Sequence, residues 1–83
     1  MNSNFQKIIR KPDVLNITGF SKSTLYNRIK DGLWPSPISL GSRAIGFVQA
    51  ECEAVLSAMI AEQPPEKIKA LVSELIQSRK QAI

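Results

Sequence analysis

Apolar residues recur along this chain in two rhythms, and the changes of rhythm mark its elements. From Gln49 to about Glu62, Cys52, Val55, Leu56, Met59 and Ile60 fall at i, i+3, i+4, i+7 and i+8, and from Glu66 to about Lys80, Ile68, Leu71, Val72, Leu75 and Ile76 repeat that spacing. Each stripe predicts an amphipathic helix. Gln63-Pro64-Pro65 separates the two. Between Pro37 and Val48 the period shortens: Ile38 and Leu40 alternate with Ser39, Gly41-Ser42 supplies a turn, and Ala44-Ile45-Gly46-Phe47-Val48 resumes an extended apolar run. That pattern predicts a short hairpin with Arg43 at its tip. Nearer the start, Pro12 suits the first turn of a helix running to about Ile17, because the N–H it lacks would have no partner there. Val14, Leu15 and Ile17 are too few to hold such a helix alone, so it must pack on the next helix through Leu25 and Ile29. Met1 to Phe5 is polar and expected to fray.

The stretch Ile17 to Pro37, ITGFSKSTLYNRIKDGLWPSP, carries the most information. Gly19 tolerates the positive φ needed just past a helix end, and Ser21 can cap the following helix by accepting from a free N–H two or three residues on. A tight corner between two helices results. Leu25 and Ile29 share one face of the second helix at i, i+4, while Ser23, Tyr26, Asn27 and Lys30 project away from that line. Asp31-Gly32 and Trp34-Pro35 then stop the helix. About ten residues remain, a length that a major groove accepts. The fold expected is mainly α with a small β-hairpin wing: a winged helix-turn-helix over residues 6–62, followed by an amphipathic C-terminal helix over residues 64–81.

Charge sharpens this picture. Through Val48, Lys7, Arg10, Lys11, Lys22, Arg28, Lys30 and Arg43 face only Asp13 and Asp31, whereas from Gln49 onward Lys67, Lys69, Arg79 and Lys80 are outnumbered by Glu51, Glu53, Glu62, Glu66 and Glu74. The net charge of +4 therefore belongs to the half that contains the corner, as a phosphate-facing surface requires. On this reading Lys7, Arg10, Lys11 and Arg28 are secondary phosphate contacts, and Arg43 is a wing residue aimed at a phosphate or a minor groove. Glu51 and Glu53, in the first turn of their helix, complement its dipole and make it a poor DNA-facing element.

Other chemistries lack their residues. The chain has no His and one Cys, so four-ligand zinc sites and His-dependent acid–base or nucleophile arrangements have no parts. Cys52 cannot form an internal disulfide and reads as a small core residue. At 83 residues there is space for one small core and none for a large cofactor pocket, so no enzyme, cofactor or metal is expected. No apolar run approaches the ~20 residues of a membrane span and MNSNFQKIIRK has no signal-peptide apolar centre, from which a cytoplasmic location is expected. RNA is disfavoured because a helix suited to a major groove cannot read deep A-form grooves.

Ile9-Arg10-Lys11-Pro12, the run TGFSKSTLY from Thr18 to Tyr26, Ile29-Lys30, Gly32, Trp34-Pro35, Pro37 and the run LGSRAIGF from Leu40 to Phe47 resemble the AlpA family. These are small phage- and genomic-island-encoded regulators related to MerR-type winged helices and to excisionases. The resemblance covers about Ile9 to Ala61. It implies a compact winged helix-turn-helix, binding to duplex DNA near attachment sites or promoters, and control of integrase expression or prophage excision. It also implies Ser21 as the cap, Lys22, Ser23, Thr24, Tyr26, Asn27 and Lys30 as the reading face, and Arg43 as the wing residue. The chain departs from the family where Asn27 replaces a commonly basic residue, which suits adenine readout by an amide. It departs again where Val55 replaces a Trp late in the third helix, which implies a lighter core or a gap filled by Met59.

The last helix lies beyond the resemblance. Its stripe of Ile68, Leu71, Val72, Leu75 and Ile76 either folds back on the domain or meets another chain, and periodicity does not separate the two. Self-association would link adjacent half-sites in a homodimer or cooperative array on DNA. The competing class of function is a protein-interaction adaptor that docks integrase or polymerase through this helix.

Overall fold

Hydrogen bonding at the helix ends explains most element boundaries in the computed structural model, which describes residues 7–80. The expected fraying of Met1–Phe5, and residues 6 and 81 at the limits of the two expected units, lie outside the described residues. The order is β1 (Ile8–Ile9), α1 (Lys11–Thr18), α2 (Lys22–Lys30), β2 (Ile38–Ser39), β3 (Ile45–Val48), α3 (Gln49–Ile60) and α4 (Pro65–Arg79). At the start of α1 the Asp13 carboxylate accepts from the Arg10 N–H at 3.0 Å. At its end Gly19 takes φ 75° and donates to the Leu15 carbonyl at 2.8 Å. The Thr18 hydroxyl donates to the Val14 carbonyl at 2.7 Å and accepts from the Phe20 N–H at 3.1 Å, closing the corner. Helix α2 then starts on Ser21, whose Oγ accepts from the Thr24 N–H at 3.1 Å.

Helices α2 and α3 end alike. Leu33 N–H donates to the Arg28 carbonyl at 2.8 Å and Gly32 N–H to the Ile29 carbonyl at 3.1 Å, with Gly32 at φ 78°. Gln63 and Glu62 repeat those bonds to Ala58 and Met59, but there the left-handed residue is Glu62, at φ 59°. This is the glycine-type C-terminal motif, built once on glycine and once on glutamate. Because the chain turns at Glu62, α3 stops at Ile60 instead of reaching Glu62.

The wing belongs to a three-stranded antiparallel sheet of order β1-β3-β2, which is the winged helix-turn-helix arrangement of helices and sheet. Ile8 pairs with Val48 and Ile9 with Phe47, while Ile38 pairs with Gly46 and Ser39 with Ile45. The hairpin reading omitted β1, since two residues are too short to display a period. Gly46 sits where strands and side chains close in from both sides: an added Cβ would lie 2.6 Å from Ile8 Cγ2, 2.8 Å from Leu40 Cδ1 and 3.3 Å from the Ile9 carbonyl. Any larger residue there forces the Ile8 and Leu40 side chains to shift.

One core cluster joins Val14, Leu25, Trp34, Phe47, Cys52, Val55, Ile68 and Val72. Trp34, read in sequence only as a helix stop, is its largest buried side chain. Val55 is buried in the same cluster, and Met59 packs against it partly buried. Cys52 is fully enclosed, and burial, followed by the charge of Glu51, pushes its thiol up to about 11. The α3 stripe is shorter than expected: Ile60, its last residue, is 76% exposed because the chain leaves the helix there and no element covers it.

Helix α4 is a wall of this core. Ile68 and Val72 are buried in it, and Leu71, Leu75 and Ile76 pack against it. Its end is fastened by Arg79, which donates from Nε to Glu51 Oε2 at 2.8 Å and from Nη2 to Glu51 Oε1 at 2.6 Å and the Ser36 carbonyl at 2.7 Å. Glu51 is buried at 6% exposure, so the α3 carboxylate read as a dipole partner chiefly anchors α4. Ion pairing with Glu51 raises the Arg79 pKa, holding the guanidinium charged. Residues 6–62 and 64–81, expected as two units, thus share one hydrophobic cluster. Truncation after Gln63 should therefore abolish the cooperative thermal transition, and Arg79→Ala should lower unfolding free energy by about 2–3 kcal/mol by leaving a buried carboxylate unpaired. Both are measurable by circular dichroism melts and urea titration.

Candidate nucleic-acid interface

Only Leu25 of α2 is fully buried, and Arg28 and Ile29 are partly so. A nine-residue helix with so little buried surface needs to be held from outside itself. Two aromatics do this. Phe20, just before α2, and Trp34, just after it, meet edge to face with ring centroids 5.6 Å apart and planes at 77°. The Arg28 guanidinium lies 5.4 Å from the centre of the Phe20 ring, and its Nη2 is 3.7 Å from Met59 Sδ. The inner side of α2 is therefore tied to α3 through Arg28, and its two ends are tied to each other.

The opposite side is open. Lys22, Ser23, Thr24, Tyr26, Asn27 and Lys30 are all exposed, Tyr26 at 73%. The Ser21 hydroxyl that caps the helix also donates to Thr24 Oγ1 at 2.9 Å, so the Thr24 hydroxyl is partly committed to the cap. No bond within the chain restrains the Asn27 amide among the described residues, leaving its donor and acceptor available for a base edge. Arg43 is exposed between Gly41-Ser42 and β3, and Ser39 Oγ donates to the Gly41 carbonyl at 3.2 Å, bracing the turn. Lys7, Arg10 and Lys11 are exposed near the start of the described chain.

Between α2 and the sheet runs a cleft of about 280 Å³ lined by Lys11, Lys22, Leu25, Tyr26, Ile29, Pro37, Ile45 and Phe47. It brings Lys11, expected as a secondary phosphate contact, together with Lys22 and Tyr26 of the expected reading face. Ile45 was seen in sequence as a strand residue alone, yet it is 44% exposed on this cleft. Its strand partner Ser39 is polar, a signal that this face of the hairpin is not core. Lys7, Arg10, Ser23, Thr24, Asn27, Lys30 and Arg43 are exposed but do not line this cleft, Arg28 is engaged inside the domain, Ile68 and Val72 are buried in the core, and Leu71, Leu75 and Ile76 are half-buried against it. Among the described residues no group of three His, Cys, Asp or Glu side chains could hold a metal ion. Among those residues, too, no helix is long and apolar enough to cross a membrane.

This geometry separates two basic residues of the same helix. Arg28→Ala should lower stability by about 1–2 kcal/mol through lost stacking and packing, while leaving the salt dependence of DNA affinity unchanged. Lys30→Ala should do the reverse, keeping the melting curve and lowering the salt slope by about one unit. Parallel melts and fluorescence anisotropy titrations at several salt concentrations check both.

Residues 7–57, from β1 to most of α3, match the family described as prophage CP4-57 regulatory protein (AlpA). An uncharacterized protein of Enterobacteria phage P4, ORF88, is 32% identical over 56 residues, which cover 68% of this chain and 64% of that relative. The chain thus spans slightly less than two thirds of that relative's length. No solved structure matches the chain. The matched residues contain the helix corner, the wing and Trp34, and the chain belongs to the AlpA family of phage regulatory proteins.

Proposed function

We propose that the chain is a sequence-specific duplex-DNA-binding regulator of a prophage or genomic island, acting as a transcriptional regulator or an excisionase. The observation that carries this reading is the exposed polar face of α2, with Lys22, Asn27 and Lys30, set beside a hairpin whose tip carries Arg43. Affinity comes mainly from Lys and Arg on phosphates, and base choice from the side chains of α2 in the major groove. Asn27 is suited to a bidentate contact with adenine. The alternative, a protein-interaction adaptor that docks integrase or polymerase through α4, has less support, because Ile68 and Val72 are buried in the chain's own core and Leu71, Leu75 and Ile76 are half-buried against it.

Selection of bound fragments from host genomic DNA, followed by titration of the recovered site against random duplex, tests the reading. A recovered common motif supports it, and an absence of enrichment contradicts it. On the selected site Asn27→Ala should weaken binding by about 1–3 kcal/mol with little change on random duplex, since base contacts carry specificity. Arg43→Ala should leave folding within about 0.5 kcal/mol and lower the salt slope by about one unit. Equal losses on both DNAs for Asn27→Ala would remove it from base reading.

A further inference from the structure

The cleft between α2 and the sheet has a composition that the reading face alone does not explain. Its floor is apolar, from Leu25, Ile29, Pro37, Ile45 and Phe47, and its rim carries two ammonium groups and a phenol. Lys11 and Lys22 are the first residues of α1 and α2, so the starts of both helices of the corner converge on it. An ordinary solvated surface gives no reason for Ile45 to stand 44% exposed in the middle strand of a sheet beside those cations.

We propose that this cleft seats the sugar–phosphate backbone of one DNA strand, with Lys11 and Lys22 on a shared phosphate and Ile45 and Tyr26 against the adjoining deoxyribose. The inference rests on the duplex-DNA reading of α2 and adds to it a binding role for an apolar wing residue. The charge match is direct: a phosphodiester is an anion attached to a largely apolar sugar, and the cleft offers cations at its lip and hydrocarbon below. The location is continuous with the proposed interface, because a helix lying in the major groove is flanked by the two backbones that bound the groove. One of those backbones would pass between α2 and the wing, leaving Arg43 free to reach the next groove.

The test uses the full chain and a fluorescein-labelled random-sequence 20-base-pair duplex, titrated at several salt concentrations. The Lys11→Gln/Lys22→Gln double variant should lower the salt slope by about one unit and not two, as one lost phosphate requires. Ile45→Thr, which keeps a β-branched side chain in the strand, should weaken binding several-fold at every salt concentration with the slope unchanged. An unchanged slope, a slope loss of about two units, or native affinity for Ile45→Thr overturns the cleft assignment while leaving the α2 reading intact. Failure of the native chain to bind any duplex overturns both.

Discussion

The contact between Phe20 and Trp34 is the constraint on which the rest of the molecule depends. These residues bracket α2, and their rings meet 5.6 Å apart. An edge-to-face pair contributes about 0.5–1.5 kcal/mol beyond the area it buries. Its larger effect is geometric. A helix of nine residues with a single buried side chain has no independent stability, so its direction is set by what holds its ends. Trp34 is also buried in the core cluster that includes Val14 of α1, Phe47 of β3, Val55 of α3 and Val72 of α4. The orientation of α2 is thereby coupled to that core.

The outer elements keep this arrangement rigid in different ways. Gly46 lets the side chains of Ile8 and Leu40 close over the middle strand, which seats the wing against β1. Helix α4 covers the core with Ile68 and Val72, and Arg79 locks its end to Glu51 and to the Ser36 carbonyl just ahead of β2. That last bond ties the loop between Trp34 and the wing to α4. The C-terminal helix therefore fixes the segment that joins α2 to the hairpin.

What was legible in the sequence was what local chemistry encodes. The Thr18-Gly19 stop, the Ser21 cap, the Gly32 stop and the Gly41-Ser42 turn each depend on residues within a few positions, and all stand where the sequence puts them. What escaped was long-range. Arg28 looked like a phosphate contact because nothing nearby in sequence reveals Met59 as its neighbour. Glu51 looked like a dipole partner because Arg79 is 28 residues away. Trp34 looked like punctuation, since a bulky residue between Gly32 and Pro35 carries no period by which to recognise it as core. The α4 stripe was plain, but a stripe states only that it must be covered, and the cover proved to be the chain's own core. At the candidate site the exposed face of α2 was legible from its spacing, whereas the cleft required the packing of α1, α2 and β3 to be known.

On the proposed reading, the outer face of α2 and the wing meet duplex DNA together while α4 serves the fold. Amide chemical-shift mapping of the isotopically labelled full chain, titrated with duplex DNA, tests it most directly. The predicted result is that the largest shifts fall on residues 22–30 and 41–45, with Lys11 among them, and that residues 65–79 remain nearly unmoved. Shifts concentrated on α4, or on the acidic start of α3, with α2 unaffected, would contradict it.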